Sequence, residues 1–403
     1  MNMSAEIARA TADPEVGLLK LLERSHDLAM ANEVPAQEGE VPAQEGVVGY
    51  FPVYFPEELI HATGLRPHAV LGGGTGVEMK LADAVIGSFV CSICRSTVEL
   101  GLGGELAGMA AFYVPAICDA AKHLPGIWGR RFPSQPAEQL ALPQNVELPA
   151  AVTFIRNEYE RLRRDLGRLV GREVSDDSLR SSIVAYNENR ELVRELYRLR
   201  AEDPGRLAAV ECYLMVRAGL RLRVEEHSAL LREALALLAR RASRVEDKPR
   251  VVFRGGFCEQ PPLAMIEAIE DSTFIVDDDL LLGRHWITED VSPEGDPLMA
   301  LAAAYVQHSD SSPVQHDSRK PMDRSLVDAV RRTRADGAII AAPKFCEPGL
   351  DDQVLCCKAL DAEGLPYLVL EFEERMTSFQ QMAMQVETFG ESLLFRQAVG
   401  RDG

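Results

Sequence analysis

Short apolar runs that end at a glycine or proline recur along this chain, and they constrain its fold more than any other feature. Four of them are VVGYFPVYF (47–55), GMAAFYVP (108–115), RVVFRGG (250–256) and DGAIIAAP (336–343). Helical segments lie between these runs, and strands that alternate with helices are typical of a parallel sheet. From residue 249 onward the apolar runs are short and rich in Val and Ile, as strands covered on both faces should be.

Residues 150–248 show the helix period instead. Ser175 has the character of an N-cap, and Leu179, Ile183, Tyr186 and Leu196 then fall on one helical stripe. Such a stripe is more typical of a packed core than of a cofactor site. The sequence therefore predicts an α/β fold in which two doubly wound parallel-sheet units flank a helical segment.

The chain has 403 residues, too many for one ordinary hydrophobic core, so several domains are expected. An acidic tandem heptad, EVPAQEG EVPAQEG at 33–46, has no apolar face and predicts a solvated linker. The predicted organisation is an N-terminal helix and flexible linker at 1–46, a first α/β domain at 47–149, a helical domain at 150–248 and a second α/β domain at 249–403.

The charge balance argues against a nucleic acid or an anionic membrane as the main partner. There are 43 basic and 62 acidic residues, which give a formal charge of −19, whereas those partners need a basic surface. The N-terminal sequence has no signal-peptide layout and no apolar run reaches bilayer length, so we expect a cytoplasmic protein. Its eight cysteines should then be mostly reduced and available as ligands.

Three cysteines share one topological position. Cys118, Cys258 and Cys346 each come just after a predicted strand, and the carboxyl ends of parallel strands are where α/β folds bind ligands. Cys91 precedes a predicted helix, whose first N–H groups favour a thiolate. Thiolates gathered from distant segments indicate zinc or an iron-sulfur cluster.

Two alternatives to a shared cluster remain at this level. Structural zinc usually uses paired CxxC knuckles, and Cys91 and Cys94 form the only such pair, which makes zinc the weaker choice. A thioredoxin-like redox pair would leave the other strand-end cysteines unexplained. Any one cysteine alone is readily explained by packing. That interpretation is preferred for the remaining cysteines, which are Cys212, Cys356 and Cys357.

Several longer blocks identify a resemblance. They are FPVYFPEELIHATGL (51–65), VCSICRSTVELGL (90–102), VPAICDAAKHL (114–124), GGFCEQPPLAMIEAIEDSTFIVDDDLLLGRHW (255–286) and AAPKFCEP (341–348). Over about 47–390 the chain resembles the 2-hydroxyacyl-CoA dehydratase and benzoyl-CoA reductase family of iron-sulfur subunits. Within that family the blocks GFCEQPPL, IVDDDLLLGRHW and EGDPL are most similar to the smaller substrate-site subunit of the ATP-dependent, dearomatising reductase.

The resemblance implies a 4Fe-4S cluster beside a coenzyme A thioester. Cys91, Cys118 and Cys346 match the family's recurrent ligand positions, and Cys258 matches a further cysteine that is the fourth ligand or its neighbour. Cysteine is not expected in the family at position 94, so Cys94 is assigned no role.

The resemblance also implies partners. They are a homologous second substrate-site subunit, ATP-hydrolysing iron-sulfur activator subunits, an aromatic acyl-CoA substrate and ferredoxin as electron donor. The chain has no GxxxxGK[ST] motif, and its nearest glycine cluster, LGGGTG at 71–76, lacks the Lys-Ser/Thr end. We therefore expect ATP to bind to another subunit.

Five further residues of the matching blocks follow predicted strand ends. Arg254 and Arg284 could bind the thioester phosphates, and Trp286 could wall an aromatic ring. Glu259 and His285 are candidate proton donors. For each of them, an ordinary role in the core or at the surface is the competing interpretation.

The leading hypothesis is two-electron reduction of benzoyl-CoA or a close analogue to a cyclic dienoyl-CoA. The alternatives are a 2-hydroxyacyl-CoA dehydratase subunit, a non-catalytic electron relay that binds no thioester, and a zinc-stabilised interaction module.

Overall fold

The computed structural model describes residues 13–34, 46–373 and 375–401; most of the tandem heptad, at 35–45, lies outside them. The strands are β1 Val47–Tyr50, β2 Arg66–Ala69, β3 Met109–Pro115, β4 Ala137–Leu140, β5 Arg250–Arg254, β6 Phe274–Asp278, β7 Gly337–Pro343 and β8 Tyr367–Phe372. The helices are α1 Pro14–Met30, α2 Glu57–His61, α3 Ser92–Gly103, α4 Asp119–Arg131, α5 Ala151–Val170, α6 Asp176–Glu202, α7 Ala209–Ala218, α8 Val224–Leu238, α9 Leu263–Glu270, α10 Leu282–His285, α11 Pro297–Gln307, α12 Met322–Thr333, α13 Glu347–Ala362 and α14 Gln380–Arg401.

The strands form two four-stranded sheets with the same topology. The order is β2-β1-β3-β4 in the first sheet and β6-β5-β7-β8 in the second, and every pairing is parallel. In each sheet the winding direction reverses at the middle pair, β1 and β3 or β5 and β7. The predicted fold class, with two parallel-sheet units, is confirmed.

Helices α5 to α8 lie between the two sheets in the sequence. The side chain of Ser175 accepts a hydrogen bond from Ser178 N, so the predicted N-cap of α6 is present. Leu179, Ile183 and Tyr186 of the predicted stripe are buried. Helix α1 packs against α7 and α8.

The first sheet differs from the sequence prediction at the end of β1. The run VVGYFPVYF is a strand only as far as Tyr50. Val53 and Tyr54 have φ angles of +86° and +58°, in the left-handed region that a β-branched or bulky residue rarely adopts. Pairing therefore stops, and the chain turns into α2.

Two glycines let β5 continue directly to Cys258. A Cβ atom on Gly255 would lie 1.8 Å from the carbonyl oxygen of Ala341 in β7. One on Gly256 would lie 2.7 Å from the side chain of Leu280. Only glycine allows the backbone to pass this closely between its neighbours. The Gly-Gly pair thus brings Cys258 to the carboxyl end of β7.

Within the described ranges, no helix combines the length and the apolar character needed to cross a bilayer.

Candidate functional site

Three of the predicted cysteines occupy helix N-cap positions. Cys91 precedes α3, Cys118 precedes α4 and Cys346 precedes α13. The sulfur of Cys118 accepts a hydrogen bond from Ala121 N at 3.5 Å. The N–H groups and dipole of a helix N-terminus stabilise negative charge, which at Cys118 offsets part of the effect of burial on its pKa.

The structure brings all four predicted cysteine ligands together. The thiols of Cys258 and Cys346 are in hydrogen-bonding contact, and both Cys91 and Cys118 act on Cys258 electrostatically. Cys94, to which the sequence assigned no role, contacts Cys91 in the same way. The cysteines therefore share one site, although their role as ligands stays a prediction.

Three thiols of this site, those of Cys258, Cys94 and Cys118, resist ionisation. Contact with Cys346 and burial raise the pKa of Cys258 well above its usual value. Contact with Cys91 and burial do the same for the pKa of Cys94. Burial raises the pKa of Cys118 to about 11. Binding of a metal group would therefore release protons from these thiols.

A carboxyl group lies among the sulfurs. The side chain of Glu259 is 1% exposed, and its Oε2 accepts a hydrogen bond from Ile93 N at 3.3 Å, within the CxxC turn between Cys91 and Cys94. Glu259 also acts on Cys94 electrostatically. The predicted proton donor is thus placed at the thiol site.

The donor set consists of thiols, which are the usual ligands of an iron-sulfur cluster. Among the residues that the structure describes, no three Cys, His, Asp or Glu side chains converge closely enough to hold one metal ion. In a 4Fe-4S cluster each iron takes its own thiolate, so the sulfurs surround the cluster instead of meeting at one point. Four buried or half-buried thiols drawn from both α/β units have the chemistry that such a cluster needs.

Three other predicted residues line a separate cavity of about 430 Å³, namely Arg254, Arg284 and His285. Both guanidinium groups are already ion-paired there. Arg254 Nε lies 3.2 Å from Asp352 Oδ2, and Arg284 Nη1 donates to Glu57 Oε2 at 2.6 Å.

His285 and Trp286 differ in their surroundings. The Nε2 atom of His285 lies 2.6 Å from Leu280 O, and its ring packs against Tyr197. Trp286 is buried and packs edge-on against Tyr54, with ring centroids 5.6 Å apart.

The ring of Tyr54 in turn lies 6.3 Å from that of Phe257, the neighbour of Cys258. One aromatic ring therefore separates Trp286 from the cysteine loop.

Sequence reasoning missed Gln260, which shapes that loop. Its Nε2 donates to Gly256 O at 3.0 Å and to Cys258 O at 3.3 Å, and its Oε1 accepts from Leu281 N at 2.9 Å. Helix α9 begins only at Leu263, so the loop depends on this side chain for its shape. The available signal in the sequence was a glutamine that lies between a cysteine and two prolines.

Comparisons with known proteins identify the family of this chain. Residues 52–393 match the family model described as 2-hydroxyglutaryl-CoA dehydratase, D-component. The chain is 37% identical to one of the subunits of benzoyl-CoA reductase from Thauera aromatica, over 86% of this chain and 90% of that protein. It is 30% identical to lactoyl-CoA dehydratase subunit beta of Anaerotignum propionicum, over 86% and 91%. It is 26% identical to (R)-2-hydroxyglutaryl-CoA dehydratase subunit beta of Acidaminococcus fermentans, over 86% and 92%. The chain therefore belongs to the 2-hydroxyglutaryl-CoA dehydratase D-component family and is a subunit of the benzoyl-CoA reductase and 2-hydroxyacyl-CoA dehydratase type.

Proposed function

We propose that this chain is the iron-sulfur subunit of an ATP-dependent benzoyl-CoA reductase. The observation that carries the proposal is the buried group of cysteines from both α/β units beside Glu259. In the proposal Cys91, Cys118, Cys346 and Cys258 hold a 4Fe-4S cluster. When bound, the cluster supplies single electrons of very low potential, which reduction of an aromatic ring requires.

The protein's own residues are proposed to donate protons and to hold the substrate in place. Glu259 is proposed as the proton donor at the thiol site, because its carboxyl group is buried among the sulfurs. His285 is the second proposed proton donor, at the cavity that it shares with Arg254 and Arg284.

Arg254 and Arg284 are proposed to contact the thioester but not its phosphates, because both guanidinium groups already have carboxylate partners, and Trp286 is proposed to wall an aromatic ring. In both arginines the carboxylate partner fixes the guanidinium, which would hold a thioester in one orientation.

The proposed reaction needs partners. Ring reduction by such electrons must be driven, and the glycine cluster at 71–76 lacks the Lys-Ser/Thr end of a phosphate loop. We assign ATP hydrolysis to separate iron-sulfur activator subunits, electron supply to ferredoxin, and completion of the substrate site to a second subunit of similar fold. The proposed assembly is cytoplasmic and involves neither nucleic acid nor membrane.

A 2-hydroxyacyl-CoA dehydratase subunit is the second candidate. The observation that favours it is the similarity to lactoyl-CoA dehydratase subunit beta, which has nearly the same coverage as the similarity to the reductase subunit. An electron relay that binds no thioester would use the same thiol site.

One anaerobic experiment separates these functions. The chain is reconstituted with its partner and activator subunits, ATP and reduced ferredoxin, and is assayed with benzoyl-CoA and with a 2-hydroxyacyl-CoA. The proposal expects a cyclic dienoyl-CoA from benzoyl-CoA. Dehydration without ring reduction would establish the second candidate. An EPR spectrum that neither thioester changes, together with no turnover, would favour the relay.

A further inference from the structure

A second cavity lies next to the cysteine loop. Its volume is about 580 Å³, within the usual range for small-molecule sites. One wall is the glycine cluster at 71–76, which follows the carboxyl end of β2. The segment 260–264, which follows the carboxyl end of β5 and starts α9, also lines the cavity. The cavity therefore lies at strand ends of both sheets, where α/β proteins bind ligands.

Two buried arginines at this cavity have no carboxylate partner among the described residues. Arg217 lines the cavity and is 8% exposed, and Arg221 behind it is 5% exposed. Arg217 donates to Ala29 O and to the hydroxyl of Tyr213. Within residues 13–34, 46–373 and 375–401, neither arginine forms an ion pair with Asp or Glu. Burial of an unpaired charge is costly, so an anion in the cavity would offset an existing penalty.

The second arginine is connected to the glycine cluster. Arg221 Nη2 donates to Asn32 Oδ1 at 3.1 Å, and Asn32 Nδ2 donates to Gly73 O at 3.5 Å. Burial, Arg217 and the nearby Arg66 lower the pKa of Arg221 to about 9. The positive charges therefore repel one another, and Arg221 is linked to the glycine cluster through Asn32.

The rest of the lining is partly polar, with His26, Asn32 and Thr377, and partly apolar. Met30, Leu263, Met376 and Phe379 supply apolar surface. Gln260 lines the cavity and also holds the carbonyl of Cys258. At the start of α9, Met265 N already donates to Pro262 O, whereas the N–H groups of Leu263 and Ala264 precede the first helical hydrogen bond and are suited to a phosphate. A ligand here could extend from the arginine end, along Gln260, to the cysteines.

We propose that this cavity binds the phosphate-bearing nucleotide end of a coenzyme A thioester. Phosphates would face Arg217, the glycine cluster and the start of α9, and the adenine would lie against Met30, Met376 and Phe379. The identification of the ligand as coenzyme A rests on the proposed function. The expectation that the ligand is an anion rests on the two arginines that have no carboxylate partner. The cavity of Arg254 and Arg284 is less suited to phosphates, because both guanidinium groups have carboxylate partners.

Gly76 provides a matched pair of variants. It is exposed on the cavity wall, and a Cβ atom there would meet nothing within 4 Å, so side chains can be added without a clash. Gly76→Asp places a negative charge at the site, and Gly76→Asn has the same shape without the charge. A second pair is Arg217→Gln with Arg66→Gln as control, because Arg66 belongs to the same positive group but does not line the cavity.

The test is calorimetric titration of the anaerobic complex with coenzyme A, ADP, pantetheine and inorganic phosphate. Coenzyme A should bind the wild type, with pantetheine much weaker. Arg217→Gln and Gly76→Asp should weaken binding of coenzyme A roughly tenfold or more, as expected for loss of a charged hydrogen bond or gain of a repulsive charge. Arg66→Gln and Gly76→Asn should stay within about twofold of the wild type, since each of them leaves the groups that face the phosphates in place.

The outcomes are distinguishable from those of the proposed function. If ADP binds more tightly than coenzyme A, the site belongs to a nucleotide and the assignment to coenzyme A is overturned. If all four variants bind like the wild type while the complex turns over benzoyl-CoA, the cavity assignment fails and the proposed function stands. If the complex is inactive but its affinity for coenzyme A depends on Arg217, the cavity assignment stands alone.

Discussion

Arg284 Nη1 and Glu57 Oε2 form a buried ion pair, 2.6 Å apart, that joins the second α/β unit to the first. Glu57 also accepts hydrogen bonds from the hydroxyl groups of Tyr50 and Tyr186. Removal of one member of a buried pair leaves the other charge uncompensated. The stability of the junction between the two units should therefore depend on this contact.

Glu57→Gln should lower the free energy of unfolding by about 3–5 kcal/mol, because it leaves Arg284 buried without its counterion. The measurement is urea denaturation followed by circular dichroism. Asp119→Asn is the control, since it breaks an exposed pair with Lys122 and should change little. Equal effects of the two substitutions would contradict the role given to the buried pair.

His227 makes the same junction sensitive to acid. Its Nε2 lies 3.1 Å from Met215 O and its Nδ1 lies 3.3 Å from Arg284 Nη2, a pattern that fits a neutral ring with the proton on Nε2. Burial and the charge of Arg284 lower the pKa of His227 well below its usual value. The unfolded chain binds a proton below about pH 6.5 that the folded chain does not bind, so stability should fall as the pH decreases through that value.

The wild type should lose roughly 1.4 kcal/mol of stability through His227 for each pH unit below about 6.5. His227→Gln should flatten this part of the profile, whereas His316→Gln, at an exposed position, should not. Urea midpoints measured at several pH values test this. A profile that His227→Gln leaves unchanged would show that another group is responsible.

Gly255 should tolerate no side chain. In Gly255→Ala the new Cβ would lie 1.8 Å from Ala341 O, so the loop that carries Cys258 must move away from β7. We expect reduced thermal stability and loss of bound iron. Gly126→Ala in α4 is the control, because a Cβ there meets nothing within 4 Å and alanine favours a helix. Normal iron content in Gly255→Ala would refute the constraint.

The proposed ligands should differ from the packing cysteines in their effect on metal. Cys118→Ser and Cys346→Ser should reduce iron from about four atoms per chain to a small fraction, with loss of the cluster's EPR signal. Cys356→Ser should retain the iron, because Cys356 packs in a separate small core with Leu326, Val327 and Leu360. Iron determination on anaerobically purified protein decides this. Full iron content in both ligand variants would exclude those cysteines as ligands.

Glu259→Gln should separate proton donation from cluster binding. Glutamine can still accept from Ile93 N but carries no ionisable proton, so kcat should fall by about 10²- to 10⁴-fold with iron content unchanged. Glu259→Asp should restore part of the rate. Steady-state kinetics of the reconstituted complex provides the measurement, and an unaltered kcat in Glu259→Gln would remove Glu259 from the proposed chemistry.

The fold class and the meeting of two of the cysteines could be predicted because both depend on local patterns. Apolar runs that end at a turn reveal strand ends, and parallel strands place those ends on one edge. The same rule predicts that Cys258 and Cys346 lie close together, since they follow β5 and β7 of one sheet, whereas the approach of Cys118, which follows β3, depends on how the two sheets pack.

The features that could not be predicted depend on residues far apart in the sequence or on unusual backbone conformations. Glu57 and Arg284 are 227 positions apart, so nothing in either segment shows the pair. Arg217 and Arg221 look like ordinary helical surface until their burial is known. The early end of β1 follows from positive φ angles at Val53 and Tyr54, which have no composition signal.

The shared strand order of the two sheets has a consequence for the origin of the thiol site. Cys118 and Cys346 each follow the third strand of their own sheet and each cap the next helix. A half-length ancestor that paired with its own copy would have placed two such thiols across a twofold axis. Gene duplication and fusion would then place the symmetric interface between two protomers inside one polypeptide. The sequences of the two halves could afterwards diverge.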